Sequence, residues 1–514
     1  MRKHLFIFLC LLLLGVAAQA QNVTITPSGI TPAQGGTYQR LSYDAILALP
    51  SPAVGDMAYD LTFRCLRLYN GDKWLCSSQT PGNLPNMIAI LSAGGTSSDE
   101  GSGIAVDASG NVYITGSYSR TAIFASGSMT AQGSLDVFIA KYNSIGTLQW
   151  VRSAGGTSDD RGRGIAVDAS GNVYITGYYS GTATFSGVSL TSAGGSDNVY
   201  VAKYNSSGAL FWVRSAGGTL YDEGSDIAVD ASGNVYITGI YSGTATFASG
   251  VSLTAEESND VFVAKYNSSG TLQWVRSAGG TSDDRGNGIA VDVSGNVYIT
   301  GNYSRTATFA FGVSLTVEGI SDVFVAKYNS SGTLQWVRSA GGTNNDYGRG
   351  IAVDVLGNVY AMGTYQGTAT FASGVSLTAQ ESNDVYVAKY NSSGTLQWVR
   401  SAGGTSDDKG RGIAVDASGN VYITGYYFGT ATFASGVSLT AQGSYDVYVA
   451  KYNSSGALQW VRSAGGASND YGYGIAVDVS GNVYATGSYS GTATFGRGTF
   501  TSSGSDIFVL RVEN

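Results

Sequence analysis

The sequence predicts an all-β fold: a seven-bladed β-propeller of four-stranded antiparallel blades, its ring closed by an N-terminal strand. Three observations carry this. The string Ser-Ala-Gly-Gly recurs at Ser92, Ser153, Ser215, Ser277, Ser339, Ser401 and Ser463, spaced by 61 residues once and by 62 thereafter, and a fixed period marks a repeat architecture. Each copy holds four strand candidates rich in β-branched and aromatic residues, bounded by Gly, Asn, Asp and Ser, with no helical periodicity. The seventh copy stops after its third strand, while Met87–Leu91 stands before the first copy as a spare strand.

Residues 1–20 read as a signal peptide. Arg2, Lys3 and His4 form a positive start, Leu5 to Ala18 a short apolar run, and Ala18-Gln19-Ala20 a small-x-small cleavage pattern. The run is too short for a membrane span, and no later stretch approaches eighteen apolar residues. The processed chain is therefore expected to be exported, to the periplasm, the outer surface or the medium, without a transmembrane span. The chain carries a net charge of −8, and loss of Arg2 and Lys3 with no acid takes it to about −10. Such an acidic balance argues against nucleic acid, whose phosphates require clustered Lys and Arg. His4 is the only histidine, so processing leaves none, which excludes a Ser-His-Asp triad, a Cys-His pair and a histidine-ligated zinc site.

Residues 21–85 form an N-terminal segment. Within it, Asn70-Gly71 is a strong hairpin signal. A two-residue loop there sets Cys65 directly opposite Cys76, a geometry suited to a disulfide outside the cytoplasm.

Residues 86–514 form the propeller. Its strands are Ile-Ala-Val-Asp, Asn-Val-Tyr-Ile-Thr-Gly, Asp-Val-Tyr-Val-Ala-Lys-Tyr and Leu-Gln-Trp-Val-Arg, with tight Ala-Ser-Gly and Ser-Ser-Gly joints. The chain has six prolines, none after Pro85, so the ladders are unbroken. An insertion between the second and third strands makes the unit longer than a minimal blade, and a small extra hairpin there is one of its options. Six outer strands carry Trp150, Trp212, Trp274, Trp336, Trp398 and Trp460; Ala89 holds that place in the strand expected to close the ring. Closure removes the exposed edges that an open array would have to cap.

With their Gly-Ile-Ala-Val-Asp-x-x-Gly-Asn-Val-Tyr core, Asp-Val-Phe/Tyr-Val-Ala-Lys-Tyr strand and Trp strand, residues 92–514 resemble the SBBP family of β-propeller repeats. The resemblance implies a bacterial, exported propeller and no common activity. The stretch from Gly55 to Trp74 also resembles N-terminal segments of Bacteroidetes-type surface proteins.

Strand alternation places the outer-to-inner and second-to-third connections on one face, and that face is the expected ligand surface. Two rings of residues are candidates on it. The first is Asp99, Asp160, Asp222, Asp284, Asp346, Asp408 and Asp470. A carboxylate ring suggests Ca²⁺ or a polyhydroxylated ligand, but one aspartate per blade falls short of the six to eight oxygens calcium takes. A turn-forming role is preferred, and no cofactor is expected. The second ring is Tyr118, Tyr179, Tyr241, Tyr303, Tyr365, Tyr427 and Tyr489, suited to sugar stacking or to packing between blades. A further aspartate, Asp107 and its equivalents in Asp-x-x-Gly-Asn, reads as turn chemistry. Glu223, Glu256, Glu257, Glu318 and Glu381 depart from their counterparts without forming a constellation, so no catalytic residue is assigned. The expected function is a non-catalytic binding or scaffold module for a glycan or protein. The alternatives are a carboxylate-dependent polysaccharide-cleaving enzyme and a calcium-stabilised structural repeat.

Overall fold

The computed structural model describes residues 86–125 and 127–513, together with six short strands between Val23 and Cys76. The signal-peptide reading of residues 1–20 lies outside the described residues. The chain divides into two units, residues 1–85 and Asn86–Asn514.

In the first unit Val23–Thr26 pairs with Gly29–Pro32. A separate four-stranded sheet runs Gln39–Leu41, Met57–Asp60, Cys65–Tyr69 and Trp74–Cys76, its first pair parallel and the rest antiparallel. Here the expected register fails. Tyr69 pairs with Trp74, so four residues rather than two separate the strands, and Cys76 faces Arg67 while Cys65 pairs with Asp60. Direct opposition of Cys65 and Cys76 rested on a two-residue Asn-Gly loop, and the longer loop removes it.

The second unit is the seven-bladed propeller. In the first blade Glu100–Val106, Val112–Tyr118, Asp136–Tyr142 and Leu148–Gly156 pair in that order from the axis outwards, all antiparallel. The turns are built as their residues dictate. Asp107 Oδ1 accepts the Ser109 and Asn111 N–H groups, and Gly110 supplies φ 76° in the same turn. The second and third strands are almost wholly buried, because each blade lies between two others. Seven apolar clusters fill the spaces between blades. In one, Tyr174, Val199 and Val201 of one blade meet Ile227, Val235 and Ile237 of the next.

The insertion is a hairpin in every blade, as in Thr182–Phe185 with Val188–Thr191. It docks on the outer strand of the preceding blade, with Gly155 opposite Thr184 and Gly156 opposite Ala183. A second tie runs the other way. Trp150 Nε1 donates to Ser206 O at 3.0 Å, and Arg152 Nε to Gly208 O at 2.8 Å, both in the following blade.

Ring closure follows the expected route. Met87–Gly95 pairs with Gly498–Val512, with Val512 opposite Met87, Leu510 opposite Ala89 and Phe508 opposite Ser92. Residues 87–95 are thus the fourth strand of the blade formed by residues 470–512. With no tryptophan in that strand, Ile90 takes up the contact with the next turn by packing over Gly146.

Candidate functional site

The two predicted rings lie on the expected face of the fold but not on its surface. All seven tyrosines are at most 1% exposed. Each hydroxyl meets the serine of a Ser-Ala-Gly-Gly string: Tyr118 with Ser153 at 2.6 Å, Tyr179 with Ser215 at 2.7 Å, Tyr241 with Ser277 at 2.6 Å. Tyr303, Tyr365 and Tyr427 do the same with Ser339, Ser401 and Ser463, and Tyr489 with Ser92. They lock the second strand to the outer strand and are out of a ligand's reach. This corrects the reading of them as a stacking surface: the blade twists their rings into the space between blades.

The seven aspartates are equally buried. Asp99 Oδ2 accepts the Gly95 N–H at 2.8 Å and Oδ1 the Ser119 N–H at 3.0 Å, joining two loops of one face. Asp160, Asp222, Asp284, Asp346, Asp408 and Asp470 repeat the contact to the second glycine of the string. They order loops and offer no open ring of carboxylates.

Each of these aspartates meets a second buried side chain from the preceding blade. Gly95 N–H serves both Asp99 and Asp506, and Gly404 N–H both Asp408 and Asp384. Asp136, Asp260, Asp322 and Asp446 hold the same place opposite Asp160, Asp284, Asp346 and Asp470, and Asn198 holds it opposite Asp222. The Oδ1 atoms of Asp136, Asp260, Asp322, Asp384, Asp446 and Asp506 are buried without a hydrogen-bond partner. Burial pushes Asp99, Asp160, Asp284, Asp346 and Asp470 up to about 7, and Asp408 to about 8. Burial also lifts Asp260 and Asp384 to about 7. Two carboxylates in one dry spot do not both ionise cheaply, so the pair retains a proton. Asn198 reproduces the uncharged member in the one interface that lacks a second carboxyl.

On the opposite face, Asp107 Oδ2 accepts from Asn111 Nδ2 and the Tyr113 hydroxyl, completing four donors to one carboxylate. Those bonds outweigh the opposing effect of burial and hold Asp107 below the usual carboxylate range. The carboxylate's acceptor positions are filled by its own turn.

The open site is the central channel, which sequence reasoning missed. A cavity of about 500 Å³ lies on the axis, walled by the seven innermost strands. Every inner strand carries a β-bulge, between Gly101 and Gly103 in the first blade and at the same place in the other six. Bulges re-aim side chains. The bulged residues Ser102, Arg163, Ser225, Asn287, Arg349, Arg411 and Tyr473 all line the cavity. Two positions earlier stand Glu100, Arg161, Glu223, Arg285, Tyr347, Lys409 and Tyr471. These positions, eight and ten residues after each string serine, each hold four different residue types across the seven copies. That divergence, on alternate residues of a strand between fixed glycines, was the signal available in the sequence.

The channel wall has two unlike halves. In one, Arg163 Nε lies 2.9 Å from Glu223 Oε1, and Tyr221 donates to Glu223 Oε2 at 2.7 Å. Burial alone would lower the Arg163 guanidinium, but Glu223 and Glu100 hold it above its ordinary value. Burial pushes Asp226 up to about 6, opposed by the Ile289 and Ile227 N–H groups that its carboxylate accepts. In the other half, burial and then the neighbouring Arg411 bring Arg349 down to about 10, with Arg285 adding to the effect. Arg411 lies over the rings of Tyr426 and Tyr473, at 5.4 and 5.9 Å, and donates to the Tyr426 hydroxyl at 2.9 Å. Tyr471 stacks on Tyr473 and meets Tyr426 edge-on. Of the other unusual acids, Glu256, Glu257, Glu318 and Glu381 are exposed on the inserted hairpins, away from the axis.

Seven segments of the chain match the SBBP β-propeller repeat: residues 90–117, 149–178, 212–239, 273–302, 335–364, 397–426 and 459–488. The chain is thus a propeller carrying seven SBBP repeats, each match running from the outer strand of one blade into the two inner strands of the next. It is similar to an uncharacterized WD repeat-containing protein of Acanthamoeba polyphaga mimivirus, 25% identical over 71% of this chain and 32% of the relative. It is also similar to the regulatory protein FlaEY of Caulobacter vibrioides, 27% identical over 30% of this chain and 17% of that protein. The chain thus spans a third or less of the curated relatives it matches. Among solved structures it overlaps a luciferin-regenerating enzyme, with a TM-score of 0.33 and 11% identity over 69% of this chain and 91% of that one. It overlaps Chaetomium thermophilum Raptor with a TM-score of 0.42 and 5% identity, over 85% of this chain and 30% of that one. Overlaps this loose carry no functional weight. No helix among the described residues is long and apolar enough to cross a membrane.

Proposed function

We propose that the protein is a non-catalytic, exported binding module that takes a glycan or protein ligand at the mouth of its central channel. One observation carries the reading. Seven blades keep the same framework yet set unlike side chains on the channel wall: Ser102, Arg163, Ser225, Asn287, Arg349, Arg411 and Tyr473, joined in three blades by Glu100, Glu223 and Arg285. A wall serving only to pack the blades has no need of such variety. Concave sites lined by a few convergent polar groups are where ligands bind. Two of the three acids at the wall are already engaged: Glu223 by Arg163 and Tyr221, Asp226 by two backbone N–H groups. That favours recognition over the acid and base work of a glycosidase. Export rests on the leader-like residues 1–20.

The test is a glycan and peptide array probed with the purified protein, with calcium and chelator arms. Capture of a ligand that is lost on replacing channel residues supports the reading. Absence of any ligand, or turnover of a captured glycan, overturns it.

A further inference from the structure

The geometry points to an acidic saccharide as the ligand, its oxyanion held by Arg285, Arg349 and Arg411 and its sugar ring laid against Tyr473 of the last blade. This rests on the reading that the channel mouth is the ligand site. Three guanidiniums stand on three successive innermost strands and face one cavity of about 500 Å³. Among the described residues none of the three is within ion-pairing distance of a carboxylate, whereas Arg163 across the channel is paired with Glu223. Arg411 Nε is buried with no hydrogen-bond partner.

Gathering like charges in a half-buried cavity is costly unless an anion occupies it. The surrounding molecule is acidic, with a net charge of −8, so the cationic arc is a local exception and not part of a basic surface. Guanidinium groups grip planar oxyanions with two parallel bonds. The arc gives way at one end to Tyr473, with Tyr471 and Tyr426 behind it. Tyrosine offers an apolar face and a hydroxyl at once, which matches a sugar ring carrying hydroxyl groups. Across the ring from Arg349, Glu100 and Ser102 line the same cavity and offer polar groups to those hydroxyls. A simple anion would use the arginines and leave the rest of the cavity idle.

Titration calorimetry on the full chain tests this with four probes: tetragalacturonate, a sulfated galactose tetrasaccharide, its unsulfated parent and inorganic sulfate. The expected result is binding of one or both acidic oligomers, weakening with salt, with the neutral parent at least about tenfold weaker. Which acidic oligomer binds more tightly assigns the oxyanion as carboxylate or sulfate. Arg349→Gln and Arg411→Gln should each weaken that binding about tenfold or more while the melting temperature stays within a few degrees of the parent. A variant that melts early is replaced by Arg349→Lys, which keeps the charge and loses the paired geometry, and which should also weaken binding. Equal binding of the neutral parent, equal binding of inorganic sulfate, no binding of either acidic oligomer, or full affinity in the variants would each overturn the proposal. A peptide or neutral glycan captured at the mouth would overturn it while leaving the binding-module reading intact.

Discussion

The hydroxyl groups of Tyr489 and Ser92 lie 2.6 Å apart although 397 residues separate them. The same bond joins Tyr427 to Ser463, 36 residues on, within a single blade. The last blade is therefore assembled from both ends of the propeller as though the chain were continuous. Met87, Leu91 and Ala93 are buried in that blade, so the strand contributes core as well as ladder.

Deleting residues 86–91 should lower the stability of the whole ring. Losing the burial of Met87 and Leu91 alone costs roughly 3–6 kcal/mol, before an unpaired edge on residues 509–512 is counted. Tyr489→Phe should cost only about 1 kcal/mol. Urea unfolding followed by circular dichroism separates the two. A deletion variant with the parent's midpoint would show that the ring does not depend on this strand.

Stability should fall as pH rises from about 4 to about 8. In that window the unfolded chain releases protons that the buried carboxyl pairs keep, so the folded state binds more protons and loses ground with each pH step. The contribution is complete below the ordinary carboxylate value and gone once pH passes about 8, where Asp408 has titrated. The turn aspartates act oppositely. Asp107, Asp168 and Asp230 lie below the usual range because their hydrogen bonds outweigh burial, so their share is lost as pH drops below about 4. Melting temperature should therefore peak near pH 4–5. Asp384→Asn, copying Asn198, should raise the melting temperature at pH 8 and leave it nearly unchanged at pH 5. A rise with added calcium at pH 8 would instead show a cation between the carboxylates.

Gly280→Ala should be damaging, because Gly280 is buried against a neighbouring backbone. An added Cβ would lie 2.2 Å from Thr306 O, on the hairpin docked against it. Backbone does not yield as a side chain does, so the cost should be roughly 1–3 kcal/mol. Gly250→Ala, where nothing lies within 4 Å but φ is 75°, is the comparison for backbone strain alone. Thermal unfolding of the two variants should rank Gly280→Ala as the less stable.

Arg276→Lys should destabilise the propeller by about 1–2 kcal/mol. Arg276 Nε donates to Gly332 O at 2.8 Å, its Nη2 to Ser331 O at 3.1 Å, and the guanidinium covers Trp274. A lysine carries the charge but not the fork that grips the following blade. Denaturant midpoints unchanged within error would assign the tie between these blades to Trp274.

What the sequence alone determined was the repeating framework. Period, strand count, turn chemistry and the use of Met87–Leu91 for closure follow from local pattern, because each blade must present the same faces to its neighbours. The register of Cys65 and Cys76 was misjudged because one Asn-Gly pair does not fix loop length. The roles of the recurring aspartates and tyrosines needed the tertiary structure. Whether a Tyr489 hydroxyl meets a ligand or Ser92 depends on a strand nearly four hundred residues away. The channel was decided only in three dimensions, since Arg285, Arg349 and Arg411 lie at intervals of 64 and 62 residues in the chain and become one site when the ring brings their strands to a common axis. Recurrence marked the residues that build the blades. The variable residues at the bulges of the inner strands are the ones the fold turns towards the channel.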